Sequence, residues 1–204
     1  MRKLPHEYEN PIDAILVHHI DSIQSYFFKL GFTPNMLTTI SLICHLISMY
    51  FFVNNNKYYT FFSVLFYGLA YYFDCFDGHF ARTYKMTTKF GDIYDHASDV
   101  FKGILFLLLI YKYFNSDFIF SLLYNIIFLF FGAVQIGCQE IYHNNTVYTL
   151  EPLKYFCPCK YFKININDCL KITRYGGMGT FQLLIIFLII YIKNKKSLHK
   201  MLRM

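Results

Sequence analysis

Apolar residues along this chain fall into long runs separated by short polar breaks, and the lengths of the runs are those of membrane-crossing helices. Residues 36–53 carry no formal charge and end on Asn54-Asn55-Asn56-Lys57. A second run, 58–73, stops at Asp74, and a third continues through Ile104 to Tyr111. Residues 118–137 are uncharged throughout, and so are 177–192, a short and mostly apolar run. A crossing helix needs about 20 residues, so the second and third helices are expected to extend past the hydrocarbon and carry their polar ends near one interface. The pattern predicts an all-α, polytopic membrane helix bundle.

Ahead of the first run, Ile12, Ile15, Leu16, Ile20, Ile23, Phe27 and Phe28 recur at helical spacing among three basic and four acidic side chains. That spacing predicts an amphipathic helix lying in the membrane interface, broken by Gly31 and Pro34. Residues 138–176 are the polar exception. They hold Glu140, Glu151, Lys154, Lys160, Lys163, Asp168, Lys171 and Arg174, so a fully buried span there is disfavoured by charge. Five apolar runs are visible. The organisation expected is an interfacial segment over 1–35, a membrane domain over 36–192 and a basic tail over 193–204.

Composition strengthens the membrane reading. Hydrophobic residues make up 55% of the 204, aromatic ones 21% and charged ones 16%, too little polar surface to clothe a globule of this size in water. Residues 1–10 are polar, so no cleavable leader is expected and the first run should be retained as a membrane helix. The net charge of +6 does not imply a nucleic-acid partner. Five of the 19 basic residues are Lys193, Lys195, Lys196, Lys200 and Arg203, directly after the last apolar run, where they suit an anchor on an anionic leaflet.

The chemistry concentrates between residues 74 and 99. The chain there reads Asp74-Cys75-Phe76-Asp77-Gly78-His79-Phe80-Ala81-Arg82, then eight residues, then Gly91-Asp92-Ile93-Tyr94-Asp95-His96-Ala97-Ser98-Asp99. On helices, Asp74 and Asp77 at i, i+3 and Asp95 and Asp99 at i, i+4 each project from one face. Four acceptor-only carboxylates brought together beside hydrocarbon repel one another unless a cation lies between them, and hard oxygen ligands select Mg2+, Mn2+ or Ca2+. Gly78, Ala81 and Gly91 leave the backbone open to close approach by a ligand.

The pattern D-x2-D-G-x2-A-R-x8-G-x3-D-x3-D, with all eight fixed positions filled, resembles the signature of the CDP-alcohol phosphatidyltransferases. Thr33-Pro34-Asn35-Met36-Leu37-Thr38 is similar to the family's entry into its first membrane helix. The resemblance implies six membrane helices, the fifth being short, broken or hidden within 138–176. By the positive-inside rule an even count would place the N-terminus, the motif and the basic tail together on the cytoplasmic side. It also implies a homodimer, a CDP-alcohol donor (CDP-diacylglycerol or a CDP-aminoalcohol), a hydroxyl acceptor and a Mg2+- or Mn2+-dependent reaction releasing CMP.

Residue by residue, the resemblance makes Asp74, Asp77 and Asp95 ligands of one ion, with Asp95 and Asp99 shared with a second. Asp99 would be the general base. Arg82 would hold phosphate oxygens, and Gly78, Ala81, Thr88, Gly91 and Asn35 would contact the nucleotide or diphosphate. The segment from Phe76 to Arg82, with Thr88-Lys89-Phe90-Gly91, resembles the phosphatidylinositol synthase branch, whereas Asp95-His96-Ala97-Ser98-Asp99 is similar to the choline and ethanolamine phosphotransferases. The two hints point to different acceptors.

Neither His79 nor His96 is required by the pattern, and Asp92 reads as a solvated loop acid. Of six cysteines, Cys138, Cys157, Cys159 and Cys169 cluster in and beside the polar segment. One C-x-C with two distant singles is a weak version of a zinc pattern, and reduced thiols are the expectation. Two rival readings follow from the same acids. A divalent-cation transporter would place them near the bilayer midplane, and an inactive scaffold would have lost one.

Overall fold

The computed structural model describes residues 4–54, 56, 58–142, 151–162 and 164–201, and every regular element among them is helical. Helix α1 spans Pro11–Lys29, α2 Pro34–Val53, α3 Tyr59–Thr83, α4 Lys89–Tyr113 and α5 Phe118–Tyr142. Short helices α6 (Cys159–Phe162) and α7 (Ile166–Thr173) precede α8 (Met178–Met201).

Local chemistry sets the boundaries. Gly31 takes a left-handed φ of 79°, and the Phe32 amide closes back on the Phe27 carbonyl at 3.1 Å, ending the first helix. Thr33 caps α2, with Pro34 in its first turn, where a missing N–H costs nothing. Lys85, at φ 55°, repeats the Gly31 device after α3: Met86 N donates to Ala81 O at 2.8 Å. Thr88 then opens α4, its hydroxyl accepting from Gly91 N at 3.0 Å.

Three stretches are long and apolar enough to cross a membrane: Pro34–Val53, Asn115–Tyr142 and Ile166–Lys195. Helices α3 and α4, at 25 residues each, have the length and carry the acids at one end. Helix α5 presents Ile119, Leu123, Ile126, Ile127 and Phe130 outward, an apolar surface suited to hydrocarbon. The described elements between α5 and α8 are 3-10 turns and helices of four and eight residues, shorter than a crossing. Residues 143–150 lie outside the description.

The residues fall in two compact units, one built on Leu16–Leu122 and Leu184–Met204, the other on Lys3–Ile15 and Leu123–Leu183. In the first, α2 packs along α3 through small hydroxyls: Ser41 Oγ donates to Ala70 O and Ser48 Oγ to Ser63 O, each at 2.8 Å. Such side chains satisfy themselves on the neighbouring backbone and let helices approach closely. Phe52 is fully buried against Phe106 and Phe114.

Two expected segments gain packing detail here. The apolar stripe of α1 does not lie wholly in lipid, because Ile20, Ile23 and Phe27 pack against Leu37, Phe76 and Phe80, while Ile15 and Phe28 remain exposed. The start of the basic tail is packed. Helix α8 runs on through it to Met201, and Lys193 donates to the carbonyls of Phe51 and Asn54 while Lys195 reaches Asp117. Phe51 and Asn54 lie at the end of α2 opposite Asn35 and Thr38, and Asp117 follows the end of α4, so the start of the tail sits at the far end from the motif, whereas an even number of crossings would bring the two to one side. The side chains of Lys196 and Lys200, and Arg203 itself, are outside the description.

The second unit has a small buried core of Leu4, Tyr8, Cys138, Cys157, Cys159, Cys169 and Leu170. Asn10 ties its N-terminal segment down, donating to Arg174 O at 2.6 Å and to Thr180 Oγ1 at 2.9 Å.

Candidate active site

The motif is assembled where the C-terminal end of α3 meets the N-terminal ends of α2 and α4. Helical spacing puts Asp74 and Asp77 on one face of α3, and Asp95 and Asp99 on one face of α4. Carboxylate oxygens of Asp74, Asp95 and Asp99 lie within 4.8 Å of one another. Asp74 is largely covered and Asp99 is half exposed, its side chain 52% accessible, so the cluster has one wet side.

Asp77 is deeper. Buried at 3% exposure, it accepts a hydrogen bond from Thr38 Oγ1 at 2.5 Å and lies outside the three-carboxylate group. Its position fixes the register between α2 and α3.

The sequence reading missed Lys102. Its ammonium lies 2.5 Å from Asp74 Oδ1 and 2.7 Å from Asp99 Oδ1, with Ser41 Oγ at 3.3 Å. A lysine three residues after Asp99 at the start of an apolar run was the available signal, since an intramembrane cation needs a partner. It offsets part of the repulsion among the acids.

The proposed substrate contacts divide into two groups. Around the start of α4, Gly91 sits so close to the capping pair that a Cβ there would come 3.0 Å from both Asn35 Oδ1 and Thr88 Oγ1. Asn35, Thr88 and Gly91 are therefore together, and Thr88 serves as the helix cap whatever else it contacts. On α3, a Cβ on Gly78 would come 3.2 Å from Arg82 Nη1, so the guanidinium lies over the glycine one turn before it. Ala81 is half-buried on the same helix.

The histidines separate in role. His79 is buried, and its Nε2 lies 2.7 Å from Asp21 Oδ1, linking α3 to α1. His96 is exposed and is engaged with the Asp92 carbonyl on its own helix.

These residues fit a hard divalent cation. Asp95 Oδ1 is buried without a hydrogen-bond partner, and the surrounding donor set is all carboxylate. An orphaned buried acceptor beside two other carboxylates is the environment such an ion relieves.

A family model for CDP-alcohol phosphatidyltransferase matches residues 32–202. No curated protein and no solved structure matches the chain. The match takes in α2, α3, α4 and the whole acidic cluster, and the chain belongs to the CDP-alcohol phosphatidyltransferase family.

Proposed function

We propose that the protein is a membrane-embedded transferase of phospholipid synthesis that moves a phosphatidyl or phosphoalcohol group from a CDP-alcohol to a hydroxyl acceptor. The observation carrying this is the convergence of Asp74, Asp95 and Asp99 from two helices, next to small residues that leave the backbone approachable. Asp74, Asp77, Asp95 and Asp99 would hold Mg2+ or Mn2+, in a two-ion arrangement sharing Asp95 and Asp99, which when bound supplies neutralisation of the diphosphate and polarisation of the phosphorus under attack.

The chain's own groups do the rest. Arg82 presents a planar guanidinium to phosphate oxygens. Asn35 offers an amide at the start of α2, and Gly78 and Gly91 let Arg82, Asn35 and Thr88 lie close against the two helices, where they would meet the diphosphate. Asp99, the most exposed of the three clustered acids, is placed to take the proton of an acceptor hydroxyl. The acceptor oxygen then bonds to the β-phosphorus as the bond to the CMP oxygen breaks, and CMP carries the electron pair away.

The segment from Phe76 to Arg82 supports a polyol acceptor, whereas Asp95 to Asp99 supports the diacylglycerol acceptor of the choline and ethanolamine phosphotransferases, so both are offered in the test. Protein reconstituted in lipid with Mg2+ and labelled CDP-diacylglycerol or CDP-choline is to be offered inositol, glycerol 3-phosphate, serine and diacylglycerol in turn. CMP release with one acceptor, absent in Asp99→Asn, establishes the reaction. Absence of both turnover and nucleotide binding would sink it and return the acids to an ion-transport role.

A further inference from the structure

Outside the acidic site, the second unit holds a cluster that the proposed reaction does not use. Cys138 comes from the end of α5, Cys157 from the turn before α6, Cys159 from α6 and Cys169 from α7. All four sulfurs lie within 4.8 Å of one another and all four residues are buried. We infer that Cys138, Cys157, Cys159 and Cys169 form a structural zinc(II) site.

The structure pairs the sulfurs as two disulfides, Cys138 with Cys157 and Cys159 with Cys169. Each disulfide accounts for its own pair, and the meeting of both pairs at one point is what a four-sulfur metal centre would add. Cys157 and Cys159, flanking Pro158, aim both sulfurs inward, 3.3 Å apart across the two pairs. A tetrahedral zinc thiolate centre with bonds of about 2.3 Å sets its sulfurs roughly 3.8 Å apart, inside the 4.8 Å that encloses all four sulfurs here. Gly137 makes the approach possible: a Cβ there would collide with the Leu153 carbonyl oxygen, so the glycine lets the Leu153–Cys157 backbone lie directly on α5 beside Cys138.

The surrounding structure needs a crosslink. Four of the seven buried residues of this core are the cysteines themselves. The elements they join are a six-residue 3-10 turn and helices of four and eight residues, too short to hold without a tertiary staple. Zinc(II) binding displaces the four thiol protons to water and leaves four thiolates on the metal, with no oxidant required.

The inference is independent of the proposed reaction, and its test reads metal and spectrum, not turnover. The full chain, purified in detergent under a phosphine reductant without chelator, is measured by elemental analysis and intact mass. About one zinc per chain is expected, with a mass showing all six cysteines reduced. Exchange of the wild type with Co2+ should give a thiolate-to-cobalt charge-transfer band and the visible bands of a tetrahedral ion, which carboxylate-bound cobalt would not give. The paired substitution Cys157→Ser with Cys159→Ser should abolish both zinc and band, while Cys44→Ser keeps them. A chain isolated without reductant, free of zinc and lighter by the four hydrogens of two disulfides, overturns the inference. So does a fully reduced chain that takes up cobalt with no thiolate band.

Discussion

Lys102 Nζ sits 2.5 Å from Asp74 Oδ1, an ion pair from α4 to α3 that occupies the space between the acids of the motif. Its second contact, Asp99 at 2.7 Å, makes the lysine a bridge, and a cation entering the cluster must compete with the ammonium. Lys102→Met leaves the carboxylates unbridged. The variant should lose about 1–3 kcal/mol of stability without divalent metal, less than a fully buried pair would because Asp99 is half exposed. Its apparent affinity for Mn2+ should rise by about tenfold, near 1.4 kcal/mol. Thermal unfolding with and without Mn2+ measures both, and equal metal stabilisation of variant and wild type would refute the competition.

Asp99→Asn keeps the size of the side chain and removes its basicity. Turnover should fall by about 100-fold or more, with the labelled CDP-alcohol still retained on the protein in a filter-binding assay.

Gly91→Ala should push Asn35 and Thr88 apart, since a Cβ there comes 3.0 Å from an oxygen of each. Activity should drop with the fold intact. Gly103→Ala is the control on the same helix, because nothing lies within 4 Å of its Cβ position, and there the substitution should raise stability by up to about 1 kcal/mol. Comparable activity loss in both variants would dismiss the crowding argument.

Thr38→Val is close to isosteric and removes the donor to Asp77. A buried acceptor left unmatched costs about 1–3 kcal/mol, so the unfolding free energy read from chemical unfolding should fall by that amount, with a lower midpoint.

The basic tail begins at the end of α2 opposite the motif. A membrane-impermeant thiol reagent should therefore reach Thr87→Cys, in the loop between α3 and α4, and a cysteine appended after Met204 from opposite sides of sealed vesicles. Labelling of both from one side would contradict the packing of Lys193 on Asn54.

Much of this was legible beforehand. The uncharged run over 36–53 announced α2, and the spacing of Asp74, Asp77, Asp95 and Asp99 announced two acidic helix faces, because helical periodicity is local information. Long-range choices were less visible. Nothing in the spacing of Thr38 and Asp77, 39 residues apart, says that they share a hydrogen bond. The α1 stripe reads the same whether lipid or Phe76 and Phe80 cover it, since both covers are apolar. The four cysteines show only one close pair in sequence, and their convergence depends on Gly137 admitting the Leu153 backbone.

The bond between His79 and Asp21 reaches beyond the stretch that defines the family, which starts at residue 32. Phe76 and Phe80, the residues flanking Asp77 and Gly78, have Ile20 and Phe27 against them. A protein trimmed to the family boundary would lose Asp21, Ile20 and Phe27 from behind the motif helix, so the unit that packs the motif is longer than the region by which its kinship is recognised.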